Sequence, residues 1–139
     1  MSLKKRTPYF KSGWNINVLQ AFIRDGDRCV YCGRELLNQF CVACGDHLLP
    51  RRLYPQLVDS VDNLVPACTH CNRIKQEYDP SDGKGLETAI TEEVRLAFIH
   101  KSKEWIKTKH LEYARDYQTG EAAFKKAVAE YRNQSTVPG

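Results

Sequence analysis

Long apolar runs are missing from this sequence of 139 residues. No stretch approaches the roughly 18 apolar residues that a membrane-spanning helix requires. The first residues, 1–6, are basic and lead into Thr-Pro-Tyr-Phe, which is unlike the apolar segment of an export signal. We therefore expect a soluble, cytoplasmic protein with no membrane partner.

A strong charge of one sign is also missing. The net charge is +4 and the isoelectric point is near 8.7, a bias that permits an anionic partner but is common in proteins that never bind nucleic acid. Apolar and charged residues occur in ordinary globular proportions, which excludes global disorder. The length fits one domain, or one compact core with an appended piece.

Cysteine, in contrast, is plentiful and regularly spaced. All six cysteines fall in three Cys-x-x-Cys pairs, which are Cys29 with Cys32, Cys41 with Cys44, and Cys68 with Cys71. Two such pairs present four thiolates to one tetrahedral zinc ion. In a chain without an export signal, this spacing favours metal ligation over disulfides.

The first and third pairs are the best candidates for a structural zinc site, because both have turn-like surroundings and a glycine follows the first pair directly. The predicted zinc ligands are Cys29, Cys32, Cys68 and Cys71. The middle pair lies in an apolar run typical of a strand, where side chains three residues apart face opposite sides, so we interpret it as part of the core. A rival arrangement stays open, in which the first and middle pairs bind the metal and the third pair is free.

Apolar periodicity predicts helices on both sides of the cysteine-rich segment. Apolar residues at helical spacing predict a helix over about 15–25, which Gly26 is placed to end. After the turn-forming residues 79–85, the pattern predicts one helix from 87 to about 117 and another from 121 to about 132.

The chain therefore divides into three predicted parts. Residues 1–14 form a basic arm, residues 15–80 form a zinc-stapled core of loops and short strands, and residues 81–139 form a C-terminal helical extension.

Three polar segments lie among the cysteine pairs. Asp46-His47 is followed after a loop by Asn63-Leu-Val-Pro, and then by Cys-x-x-Cys-Asn72-x-x-Lys75. In order and spacing, these segments resemble the HNH nuclease family, over about residues 27–80. The resemblance implies an α+β fold, with a small zinc-stapled ββα-metal core of two antiparallel strands and a helix that starts near Asn72. The N-terminal helix and the C-terminal helical extension flank this core.

Hydrolysis of a phosphodiester needs a base to deprotonate water and a divalent cation to neutralise developing charge. His47 is the predicted general base, since imidazole titrates near neutrality, at about 6.5. Asp46 and Asn72 offer hard oxygen ligands, which suit Mg²⁺ or Mn²⁺. By the resemblance, Asn63 orients His47 through its side chain or its backbone.

Four basic residues flank this site and are candidates for phosphate contacts, namely Arg51, Arg52, Arg73 and Lys75. The resemblance implies a DNA endonuclease that nicks or cuts double-stranded DNA and leaves 5′-phosphate and 3′-hydroxyl ends. Sequence preference and oligomeric state stay open. Two cysteines before Asp46 and the lack of Gly-Gly in residues 53–60 depart from the family pattern and leave the subfamily open.

Two other functions are compatible with the cysteine pairs. A non-catalytic zinc-containing module that binds nucleic acid is the alternative, although the presence of Asp46, His47 and Asn72 together argues against it. A thiol redox protein is the third, but the sequence lacks the βαβ pattern typical of thioredoxin-like proteins.

Overall fold

The computed structural model describes residues 16–36 and 43–134. The helices and strands in chain order are α1 (Ile16–Asp25), β1 (Ala43–His47), β2 (Leu64–Cys68), α2 (Thr69–Lys75) and α3 (Glu92–Gln134). Short 3-10 turns lie at Pro55–Leu57, Val61–Asn63 and Gly85–Glu87. The predicted α+β class is confirmed. The predicted basic arm at residues 1–14 lies outside the described residues.

The two strands form one antiparallel sheet, which carries Asp46 and His47. Ala43 lies opposite Cys68 and His47 lies opposite Leu64. Every residue of β2 is buried, and α1 packs against this strand with Val18 and Ala21 in contact with Leu64. The sheet therefore fixes the end of β1, where Asp46 and His47 lie, against the start of β2.

Helix α1 confirms the helix predicted over 15–25. It ends where Gly26 adopts a positive φ of 96° and donates its backbone N–H to the carbonyl of Phe22, a conformation that glycine adopts without steric cost. Arg24 on the last turn donates to the carbonyls of Val61 and Leu64. These bonds attach α1 to the turn that precedes β2.

Helix α2 begins at Thr69, three residues before the predicted start near Asn72. Cys68 caps the helix, since its Sγ accepts a hydrogen bond from the backbone N–H of Cys71. The prediction was wrong because cysteine is not among the side chains that usually cap helices, which are Ser, Thr, Asp and Asn. Asn72 consequently lies within the helix and is not its cap.

Helix α3 is a single helix of 43 residues, so the predicted break near Thr119 and Gly120 is wrong. A glycine inside an exposed helix costs only about 1 kcal/mol relative to alanine, and Glu121 forms an ion pair with Lys125 one turn later. The helix also starts at Glu92 and not at residue 87, because the Thr91 hydroxyl caps it by accepting from the backbone N–H of Val94.

The chain divides into two compact units, Met1–Ile106 and Lys107–Gly139, and α3 contributes to both. In the first unit, Phe98 and Ile106 of α3 are buried. In the second, Tyr117, Phe124 and Tyr131 are exposed. The predicted boundary at residue 80 stays a prediction. Among the helices of the described ranges, none combines the length and apolar character needed to cross a membrane.

Candidate active site

Four thiols from two distant parts of the chain meet at one point. The Sγ atoms of Cys29, Cys32, Cys68 and Cys71 all lie within 4.8 Å of one another. The Sγ atoms of Cys32 and Cys68 are 3.8 Å apart, and two thiolates on one tetrahedral zinc ion are also about 3.8 Å apart when each Zn–S bond is near 2.3 Å. This cluster could therefore hold a metal ion, and its donor set fits zinc.

Local backbone structure brings the thiols of each pair together. Gly33 has a positive φ of 78° and donates its N–H to the carbonyl of Cys29, which closes the turn around the first pair. Val30, between the first two cysteines, donates its N–H to the carbonyl of Pro66 in β2. This bond places the first pair beside the third, which lies where β2 meets α2.

Proton affinities in the cluster favour an anionic sulfur. A hydrogen bond from Cys71 lowers the pKa of Cys29 to about 4, and the same bond together with burial raises the pKa of Cys71. The hydrogen bond between Cys29 and Cys71 therefore stabilises a thiolate within this pair. A thiolate is the form of cysteine that binds metal.

Cys44, the described member of the middle cysteine pair, is not part of this cluster. Cys44 lies on β1, and burial raises its pKa to about 12, so its thiol stays protonated near neutral pH. Cys41 lies outside the described residues. Within the described residues, the structure gathers the first and third pairs, and Cys44 is not among the thiols that meet there.

A groove with a volume of about 580 Å³ lies beside the strand ends. Asp46 and His47 from the end of β1 line it, together with Asn72 and Gln76, which lie one turn apart around the end of α2. Arg51 and other residues of the segment between the strands complete the wall. The fold therefore brings the predicted base and both predicted ligands for a hard cation to one surface.

His47 is held by a backbone carbonyl. Its Nε2 lies 3.0 Å from the carbonyl oxygen of Val58. Because a carbonyl oxygen only accepts hydrogen bonds, Nε2 carries the proton in this contact, and neutral His47 keeps its lone pair on Nδ1. His47 is thus oriented with one nitrogen left to accept a proton.

Asp46 is buried and is held through one of its two oxygens. The Tyr31 hydroxyl donates to Oδ2 at 2.5 Å, and the Lys75 Nζ lies 3.3 Å from the same atom. Burial raises the pKa of Asp46, while the charge of Lys75 and these hydrogen bonds partly oppose that rise. Burial and the nearby Asp46 charge raise the pKa of Tyr31, so its hydroxyl stays a donor.

The donors that face the groove fit a hard divalent cation. Within the described part of the chain, Oδ1 of Asp46 forms no hydrogen bond, and Asn72 lines the groove with it. A carboxylate oxygen and an amide oxygen are ligands that Mg²⁺ and Mn²⁺ accept. Asp46 and Asn72 would hold such an ion.

Asn63 acts on the segment after His47 and not on its imidazole. Its side chain is fully buried, accepts from the backbone N–H of Leu49 at 2.7 Å and donates to the Leu49 carbonyl at 3.0 Å. Its own carbonyl accepts from the N–H of Leu48 at 2.8 Å. Asn63 thereby fixes the backbone of Leu48 and Leu49, directly after His47.

The four predicted phosphate contacts have different surroundings. Arg51 and Arg52 are exposed and line the groove, and Arg52 forms a 3.3 Å ion pair with Glu77. Arg73 is exposed on α2 but does not line the groove. The prediction for Lys75 is corrected, because its side chain has no exposed surface and its ammonium is directed at Asp46.

Tyr31 and Val58 are two contributors to the site that the sequence does not mark. Tyr31 lies between the first two cysteines, and an aromatic residue inside a zinc knuckle carries no signal that it reaches a carboxylate 15 residues away. Val58 acts through its carbonyl, a group that every residue has. Only the folded backbone identifies these two contacts.

Comparisons with known proteins found a family model and a curated relative that are similar to part of this chain. A family model described as HNH endonuclease matches residues 29–77. A curated relative from Bacillus thuringiensis, called Septu protein PtuB, is 38% identical over 53 residues, which is 38% of this chain and 21% of the relative. The chain therefore spans about a fifth of the length of the relative that it matches.

Both parts of the site lie within the matched segment. The four clustered cysteines and every residue that lines the groove fall between Cys29 and Glu77. The segment that matches the HNH endonuclease model therefore contains both the cysteine cluster and the groove.

Proposed function

We propose that this chain is a metal-dependent endonuclease that hydrolyses phosphodiester bonds of double-stranded DNA. The convergence of Asp46, His47 and Asn72 on one groove carries the proposal. A zinc ion on the four clustered cysteines would hold the fold, and a separate Mg²⁺ or Mn²⁺ would act at Asp46 and Asn72. The thiol groups of the zinc site also suit the reducing conditions of the cytoplasm.

His47 acts as the general base in this proposal. Nδ1 accepts a proton from a water molecule as its oxygen attacks phosphorus, and the carbonyl of Val58 keeps the imidazole in place while its positive charge develops. The bond between phosphorus and the 3′ oxygen then breaks, and that oxygen takes a proton from solvent to leave a 3′-hydroxyl and a 5′-phosphate. When bound, the divalent cation supplies positive charge that stabilises the phosphate and the departing oxygen.

Arg51 and Arg52 are the proposed phosphate contacts in the groove, because both guanidinium groups are exposed there. Guanidinium groups bind phosphate oxygens in a bidentate manner. Arg73 is a further proposed contact on the exposed side of α2. Such contacts fix the position of the backbone and carry no base specificity.

A plasmid nicking assay tests the function. Zinc-loaded protein is incubated with supercoiled plasmid and Mg²⁺ or Mn²⁺, and His47→Ala is compared with the wild type. We expect the substitution to slow nicking by about 10² to 10⁴-fold, the usual contribution of a general base. Equal cleavage by both proteins would reject His47 as the base.

His100→Ala is the matched control, since His100 is an exposed histidine on α3 outside the groove. It should nick at the wild-type rate within about twofold. DNA binding without cleavage in the presence of every divalent ion would favour the non-catalytic nucleic-acid-binding module.

A further inference from the structure

Lys75 lies behind the groove and contacts both residues at the end of β1. Its Nζ donates to the carbonyl of His47 at 3.0 Å and lies 3.3 Å from Oδ2 of Asp46. The lysine side chain has no exposed surface, and 5% of the Asp46 side chain is exposed. One buried cation therefore holds the backbone of the proposed base and the carboxylate of the proposed metal ligand.

Each carboxylate that lines the groove is paired with a basic side chain. Two carboxylates line the groove, on Asp46 and Glu77, and Glu77 is paired with Arg52. The Asp46 charge is paired with Lys75, while Asn72 is a neutral donor. The groove thus offers an incoming divalent cation no carboxylate whose charge is not already matched by a neighbouring cation.

The Lys75 ammonium and a divalent ion bound to Asp46 would also lie close together. Oδ1 and Oδ2 belong to one carboxylate, so an ion on Oδ1 would be within a few ångströms of the Lys75 ammonium in a partly buried setting. Like charges at such a separation repel strongly where water is scarce. Mg²⁺ is generally bound in proteins by one or two carboxylates together with phosphates of the substrate.

We propose that Lys75 neutralises Asp46 and thereby keeps the divalent cation weakly bound until a nucleic-acid phosphate enters the groove. The phosphate supplies negative charge and an oxygen ligand that the protein alone does not provide to the divalent cation. Metal and nucleic acid then each strengthen the binding of the other. The catalytic site of the protein without nucleic acid is therefore mostly free of the divalent cation. This inference rests on the proposed function, because it assigns the groove to a phosphodiester substrate.

The first test measures Mn²⁺ affinity without nucleic acid, by electron paramagnetic resonance of zinc-loaded protein at pH 8, where a carboxyl proton competes least. Lys75→Met should bind Mn²⁺ at least threefold more tightly than the wild type, since it removes the competing charge. Tyr31→Phe is the matched control, because it removes a contact to the same Oδ2 without changing charge. Its Mn²⁺ affinity should stay within about twofold of the wild type.

Two results of this test would overturn the inference. One is a folded, zinc-containing Lys75→Met protein that binds Mn²⁺ no more tightly than the wild type. The other is an equal gain in Tyr31→Phe, which would show that release of the carboxylate and not loss of charge is responsible. Thermal melting and zinc content establish that each variant is folded.

The second test does not need the lysine variant to fold. His47→Ala protein, which should not cleave, is titrated with Mn²⁺ in the presence and absence of a 20-base-pair duplex, and Mn²⁺ binding to the duplex alone is subtracted. We expect at least a tenfold gain in Mn²⁺ affinity with the duplex. Duplex binding, followed by fluorescence anisotropy, should strengthen by the same factor when Mn²⁺ is added.

The outcomes separate this inference from the proposed function. If wild-type protein nicks plasmid but the duplex leaves Mn²⁺ affinity unchanged, the coupling is wrong and the nuclease assignment stands. If no duplex binds at any Mn²⁺ concentration and no plasmid is nicked, the proposed function is wrong, and the inference is overturned with it.

Discussion

Asn63 and Asp62 are neighbours in sequence with opposite environments. Asn63 is fully buried and its amide forms two hydrogen bonds with the backbone of Leu49, whereas Asp62 is exposed. The sequence alone gave Asn63 a role beside His47 through the family resemblance. In the structure, the Asn63 side chain instead holds the backbone of Leu49, two residues after His47.

Replacement of Asn63 by alanine should destabilise the domain. It leaves the N–H and the carbonyl of Leu49 buried without partners, at a cost of about 2–4 kcal/mol for the two groups. Urea unfolding followed by circular dichroism measures the loss. Asp62→Ala serves as the control and should change the free energy of unfolding by less than about 0.5 kcal/mol. Similar losses in both variants would contradict the structural role of the Asn63 amide.

At the scale of elements, the turn after α2 is organised by one carboxylate. Asp79 accepts hydrogen bonds from the Ser81 N–H and hydroxyl, the Tyr54 hydroxyl and the Gly83 N–H. Partial burial alone would raise the pKa of Asp79, but these hydrogen bonds outweigh it and lower the pKa below its usual value of 3.8. The turn predicted from composition is therefore built around a stabilised anion.

Asp79→Asn should lower the free energy of unfolding by about 1 kcal/mol near neutral pH, because the hydrogen bonds lose their charged acceptor in a partly exposed position. A lowered folded pKa means that this stabilisation is fully present above the unfolded value and is lost as pH falls through the folded value. The difference between wild type and variant should thus be constant from pH 7 to about pH 5, well above the unfolded value.

Urea unfolding midpoints at pH 7, 6 and 5 measure this difference. Glu87→Gln, an exposed carboxyl substitution in the following 3-10 turn, is the control and should leave the midpoint nearly unchanged. A difference between wild type and Asp79→Asn that shrinks over this pH range would show that the pKa of Asp79 is raised and not lowered.

At the scale of the whole molecule, the four-cysteine cluster connects chain segments that are far apart in sequence. It joins the turn at residues 29–32 to the junction of β2 and α2 at residues 68–71. A bound structural zinc contributes about 10–16 kcal/mol in small zinc domains, which is as large as the whole stability of a typical domain. Removal of zinc should therefore unfold residues 29–77.

Zinc content and melting of cysteine variants test the assignment. Wild type and Cys41→Ser should each carry one zinc ion per chain, whereas Cys68→Ser should lose zinc and its cooperative melting transition. Chelation of zinc from the wild type should abolish the same transition. Retention of zinc by Cys68→Ser with loss in Cys41→Ser would instead support the arrangement of the first and middle pairs.

The sequence by itself determined the features that depend on local spacing. The two outer Cys-x-x-Cys pairs, helix α1 and the order of Asp46, His47 and Asn72 all follow from residue types at fixed separations. The start of α2 and the unbroken α3 did not follow, because a thiol cap and a tolerated glycine run against average preferences.

Only the tertiary structure decided how distant groups are used. The sequence predicts Lys75 to be a phosphate contact, yet folding buries its side chain against Asp46. Tyr31 and the carbonyl of Val58 join the site because the first knuckle docks on β2 and the inter-strand segment returns to His47. Spacing along the chain indicates which types of ligand are present. Burial and charge pairing depend on which segments pack together, and this packing is determined only by the tertiary structure.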